Sequence, residues 1–154
     1  MPAASDVPPV LPHTWRPLGP RIAGIVAGGA LLAITGLLWI GFDQETRDAV
    51  TPFQRGTVVF IGLIGFGALY ALIRSRVDAE MDRLIVVNGY RRHEYEWPQI
   101  VGVHLPPGAP WVTLDLADGN TVSAMGIQGS DGARAKQAVR QLRALVNQRP
   151  GDVA

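Results

Sequence analysis

The chain has 154 residues, enough for one modest domain plus an anchor. Its formal net charge of +1 lacks the basic excess that nucleic-acid binders carry. It contains no cysteine, which excludes a disulfide framework, thiolate metal centres and thiol nucleophiles.

Residues 1–20 hold Pro2, Pro8, Pro9, Pro12, Pro17 and Pro20, half of the 12 prolines, and few apolar side chains. That composition predicts a disordered, proline-rich tail. Ile22 to Phe42 and Gly56 to Ile73 then contain no charged residue. At 1.5 Å per residue each run is about long enough to cross a hydrocarbon core of roughly 30 Å. The first run is too long for the apolar core of a secretion signal, so it reads as a retained span.

The polar stretch Asp43 to Arg55 joins the two spans, which must then run antiparallel, giving a helical hairpin over residues 21–74. Gly24 and Gly28 on the first span, and Gly62 and Gly65 on the second, are expected to let helix backbones approach closely. Arg16 and Arg21 flank the first span and Arg74 and Arg76 the second, whereas the connection has Arg47 and Arg55 but also three acids. This bias predicts an integral plasma-membrane protein with both termini in the cytoplasm. Neither span carries an Asp, Glu, Lys, Arg or His side chain, so a transport path is not expected.

After Ile73 the period changes. Val77, Ala79 and Met81 alternate with acids, as in a half-buried strand. Leu84 to Val87 reads as a second strand, Asn88-Gly89 as a type I′ hairpin turn, and Tyr90 to Trp97 as the return strand. Further strands are expected at Ile100–Leu105, Trp111–Leu116 and Thr121–Ile127, with a turn at Asp118-Gly119. A helix from about Ser130 to Gln148 follows, with Ser130 or Asp131 as its cap and Ala135, Ala138, Val139, Leu142, Leu145 and Val146 as its apolar stripe. Residues 150–154 read as a short tail.

Strands in antiparallel succession closed by one C-terminal amphipathic helix follow the order of a pleckstrin-homology (PH) domain. Tyr90-Arg91-Arg92 after the hairpin, Trp97 closing that strand, Ile100 and Gly102 beyond it, and the strand pair around Asp118-Gly119 resemble the bacterial PH-like family of actinobacterial membrane proteins, the low-molecular-weight protein antigen 6 group. The resemblance covers roughly residues 20–147. It implies an α+β membrane protein: a two-helix transmembrane hairpin followed, over residues 75–149, by a PH-like antiparallel β-sandwich or barrel with a C-terminal α-helix.

The resemblance also implies a membrane-tethered recognition or assembly module with no known chemistry, and the short linker Arg74-Ser75-Arg76 together with the missing chemistry points to a non-catalytic adaptor, scaffold or accessory subunit of a membrane complex. Its partners would be the bilayer and a membrane protein or a second copy, with no nucleic acid and no small-molecule substrate. The alternative is a sensor of anionic lipid at the inner face of the plasma membrane, for which Arg91, Arg92, Arg140 and Arg143 are the candidate contacts. The strand pattern also allows Arg91 and Arg92 to be a solvated face paired with Glu94 and Glu96. No catalytic grouping, cofactor motif or metal set is evident. His13, His93 and His104 are too far apart in sequence to suggest metal ligation.

Overall fold

The computed structural model describes residues 8–148. They divide into two compact units, one formed by residues 20–73 and the other by the residues up to Gly19 together with those from Arg74 onward.

The first unit is the hairpin. Helix α1 spans Leu18–Gly41, a short helix α2 spans Gln44–Ala49, and α3 spans Pro52–Arg74. The connection expected as a plain polar loop is therefore partly helical. Asp43 caps α2 by accepting the Thr46 N–H at 2.8 Å. Two start signals bring the beginning of α3 forward to Pro52. Proline suits a first helical position, and Thr51 and Gln54 form a reciprocal capping box, with Thr51 N–H donating to Gln54 Oε1 at 2.9 Å and Gln54 N–H to Thr51 Oγ1 at 3.3 Å. Both long helices are apolar enough to cross a membrane, with mean hydropathies of 2.0 and 2.2.

The second unit is a pair of antiparallel sheets and a helix. One sheet has the order β1-β2-β3-β4, from His13–Trp15, Arg76–Ala79, Arg83–Asn88 and Arg91–Glu96. The other has the order β5-β6-β7, from Ile100–His104, Trp111–Leu116 and Thr121–Gln128. Helix α4, Ala133–Gln148, buries the six apolar residues its 3.6-residue period marks out. They join Val77, Leu84, Val86, Trp97, Val112 and Leu114 in one core.

The expected disordered tail needs correction where it is described. His13, Thr14 and Trp15 pair with Ala79, Asp78 and Val77, so residues ahead of the hairpin supply the edge of a sheet whose other strands follow it. Trp15 is buried in the core and donates its indole N–H to Gln141 Oε1 at 3.2 Å. The apolar payload of one tryptophan outweighs the proline-rich composition around it. The proline-rich segment expected over residues 1–7 and the short tail expected at 150–154 lie outside the described residues.

Three local expectations are also revised. β2 stops at Ala79, and Met81 lies exposed in a turn closed by the Glu80 N–H to Arg83 carbonyl bond. The β3–β4 turn has Gly89 and Tyr90 at its centre, with positive φ at Gly89 alone. Those are the φ signs of a type II′ turn, with glycine in the first central place. Asp131 does not cap α4. Its carboxylate accepts the backbone N–H groups of Leu18 and Gly19, both at 2.9 Å, while a 3-10 turn over Gly129–Asp131 leads into the helix.

Asn88, freed from the turn, closes one corner of the sandwich. Its side chain donates to the Ser123 carbonyl at 2.6 Å and accepts from the Met125 N–H at 2.9 Å, extending the ladder from β3 to β7. Beside it β7 runs so close to β2 that a Cβ on Gly126 would overlap the backbone of Arg76 and Val77. Only glycine permits that approach.

Candidate functional site

β3 is buried on both faces. Leu84 and Val86 enter the core, while Ile85 and Val87 lie on the outer face. The register flanks Ile85 with Asp78 and Glu94, and Val87 with Arg76 and Arg92. Long charged side chains cover apolar surface with their stems while their heads stay in water. These heads are joined. Arg76 Nε meets Asp78 at 2.7 Å, and Thr14 Oγ1 donates to the same carboxylate at 2.9 Å. Arg83 and Arg92 both reach Glu94 at 2.8 Å, and Arg83 also meets Asp82 at 2.6 Å. The carboxylates of Asp82 and Glu94 hold the Arg83 guanidinium more firmly charged than usual. At this exposure the network contributes little stability, since water and salt screen it. Its chemical effect is to neutralise the face locally.

The four arginines expected at a lipid or partner surface lie on two elements, Arg91 and Arg92 on β4 and Arg140 and Arg143 on α4. Arg92 is engaged by Glu94. Arg91 lies exposed next to the hairpin turn, opposite Asn88. Arg143 donates Nε–H to the Val103 carbonyl at 2.8 Å, tying α4 to β5, and Arg140 is half-buried on the same helix. Alternation correctly suggests a charged face on β4, but it does not reveal how many of those charges are spent on neighbours.

Within the hairpin, Gly24 and Gly28 lie at the helix–helix contact. A Cβ on Gly24 would come 3.3 Å from Ile73, and one on Gly28 would come 3.2 Å from Phe66. Added Cβ atoms on Gly62 and Gly65 would meet nothing within 4 Å. The face of α3 that meets α1 is instead Phe66, Leu69 and Ile73, spaced as one helical stripe. Small residues let a backbone approach, but the partner offers large ones.

A groove of about 460 Å³ opens between β4 and the β6–β7 hairpin, lined by Glu94, Tyr95, Gln99, Leu116, Ala117 and Asp118. Among the described residues β4 pairs with β3 alone, so its other edge carries backbone groups outside the ladder, although the Glu96 N–H donates to Gln99 Oε1. Burial, and secondarily the Asp118 charge, push the Tyr95 phenol above its ordinary pKa. Bonds from the Asn120 backbone and side chain hold the Asp118 carboxyl below its own. The groove therefore combines an apolar ring, a fixed negative charge and a free strand edge. Among the described residues no group of three or more His, Asp or Glu could hold a metal ion.

Comparison with known proteins agrees with this architecture. The bacterial PH domain family matches residues 74–145. An uncharacterized protein of Mycobacterium bovis and two of Mycobacterium tuberculosis are each 30% identical over 152 residues, covering 94% of this chain and 92% of theirs. No solved structure matches the chain. With its two apolar helices, paired antiparallel sheets and closing helix, this chain belongs to the bacterial PH domain family.

Proposed function

We propose that this protein is a membrane-anchored, non-catalytic PH-domain adaptor that presents its domain to other membrane proteins at the inner face of the plasma membrane. The observation that carries the reading is the pairing of β1 with β2, strands that flank the hairpin in sequence. A domain held by both ends of a two-span hairpin must emerge twice on one side of a bilayer. The arginines at those ends, Arg16, Arg21, Arg74 and Arg76, favour the cytoplasmic side. Confinement next to the membrane raises the domain's effective concentration for partners in the same plane.

The exposed β4 edge and the groove beside Tyr95 suit an extended segment of a partner, which would add as a strand and seat a side chain on the ring. A photo-crosslinking residue in place of His93 on β4, in the full-length protein in its own membranes, tests this. The expected result is one reproducible membrane-protein neighbour, or a second copy, that is absent when the probe replaces Gln137 on α4. Equal capture from both positions, or none from either, would overturn the reading.

A further inference from the structure

We propose that a pocket between β1 and the start of α4 binds a phosphate-bearing anion, a site separate from the β4 edge. The pocket has a volume of about 230 Å³. His13 and Arg16 stand on the β1 side and Arg134 on the α4 side, with Ala135 and Ala138 leaving room on the helix. Among the described residues neither Arg16 nor Arg134 forms an ion pair, in contrast to Arg76, Arg83 and Arg92 on the outer face of the sheet. Both arginines are exposed and line one small cavity, so a single anion there can meet both, and their planar forks match phosphate oxygens.

One carboxylate, Asp131, lines the same pocket. Its two oxygens accept the backbone N–H groups of Leu18 and Gly19, so it is ion-paired to neither arginine and its single charge offsets only part of theirs. Those are the first residues of α1, so the pocket lies where the chain enters its first apolar helix. A phosphodiester or phosphomonoester fits this chemistry, whether on a lipid headgroup or free in solution.

The test uses the full-length protein in micelles. Native mass spectrometry with equimolar phosphatidylglycerol and phosphatidylcholine reads the lipid source, and the thermal midpoint with and without inorganic phosphate in lipid-free detergent reads the free-anion source. Preferential retention of phosphatidylglycerol assigns a headgroup, and a raised midpoint assigns a free phosphate. The Arg16→Gln/Arg134→Gln pair is expected to weaken whichever signal appears by roughly tenfold. Arg16→Lys/Arg134→Lys is expected to keep part of it, and Arg91→Gln/Arg92→Gln to keep all of it. No signal in either arm overturns the proposal. So does an equal loss in the Arg91/Arg92 variant, because that would mark a general surface attraction. The single Arg134→Gln change serves the same purpose if the double change alters the melting of the protein.

Discussion

The two units treat the same residue types in opposite ways. In the sheet-and-helix unit Leu84, Leu114 and Leu142 are fully buried, and glycine serves turns and the close backbone approaches at Gly126 and Gly129. In the hairpin, large apolar side chains such as Leu37 and Ile40 point outward, 69% and 73% exposed, while the glycines Gly24 and Gly28 are buried. Water drives the first arrangement by expelling apolar surface. Between helices long and apolar enough to lie in lipid that drive would be absent, and close van der Waals approach would decide which faces meet. Hydrophobicity alone therefore does not say which residues hold this chain together. The surrounding solvent does.

The largest expected effect separates the units. Trp15→Ala should cost the sheet-and-helix unit about 3 kcal/mol or more, by loss of a buried ring and creation of a cavity. Ile40→Ala, on the exposed face of α1, should change stability by less than about 0.5 kcal/mol. Thermal melting of the full-length protein in micelles, followed by tryptophan fluorescence and far-ultraviolet dichroism, measures both. Comparable losses would erase the contrast.

Next in size is the pair of glycine tests. Gly126→Ala should destabilise by about 2 kcal/mol, because the added methyl meets backbone that cannot move aside. Gly28→Val should loosen the hairpin by about 1 kcal/mol, while Gly62→Val should leave it nearly unchanged. Helix–helix association in micelles distinguishes the last two. A larger effect at Gly62 would place the helix contact on another face.

Asn88→Ala should follow at about 1–2 kcal/mol, since it leaves the Ser123 carbonyl and the Met125 N–H without their partner. Amide hydrogen exchange at Met125 should quicken, and protection equal to that of the native chain would show that the bridge is not needed.

The smallest effect is a pH dependence. Tyr95 has a folded pKa above its unfolded value, so the folded state binds its proton more tightly. Stability from this group is fully present below the unfolded value of 10.0 and is lost as pH rises from there through the higher folded value. Tyr95→Phe should flatten that decline. Phenolate absorbance attributable to Tyr95 should appear later in an alkaline titration than that of the remaining tyrosines.

Much of this architecture was legible in the sequence because its signals are periodic. The two uncharged runs gave the hairpin, alternation gave most of the strands after Val77, and the six-residue stripe gave α4. β1 was not legible. Three residues cannot display a period, and their partners Val77 to Ala79 are separated from them by the whole hairpin. In the sequence Ser130 and Asp131 both suit a local cap, because helix starts recruit nearby hydroxyls and carboxylates. The actual bonds of Asp131 reach the start of α1, a distance no sequence window spans. The candidate arginines were legible as residues but not as contacts. Arg92 and Arg16 look alike on paper, and only the folded register shows that one is answered by Glu94 while the other lines a cavity.

The family match begins at residue 74, yet the folded unit takes an edge strand and a core tryptophan from residues 13–15. A recombinant fragment cut to the matched boundaries would therefore leave β2 bare along its length and an empty socket where the indole sits. Such a fragment should be sticky and short-lived. A synthetic peptide carrying His13-Thr14-Trp15, or a permuted chain that joins it directly ahead of Arg76, should restore a soluble fold.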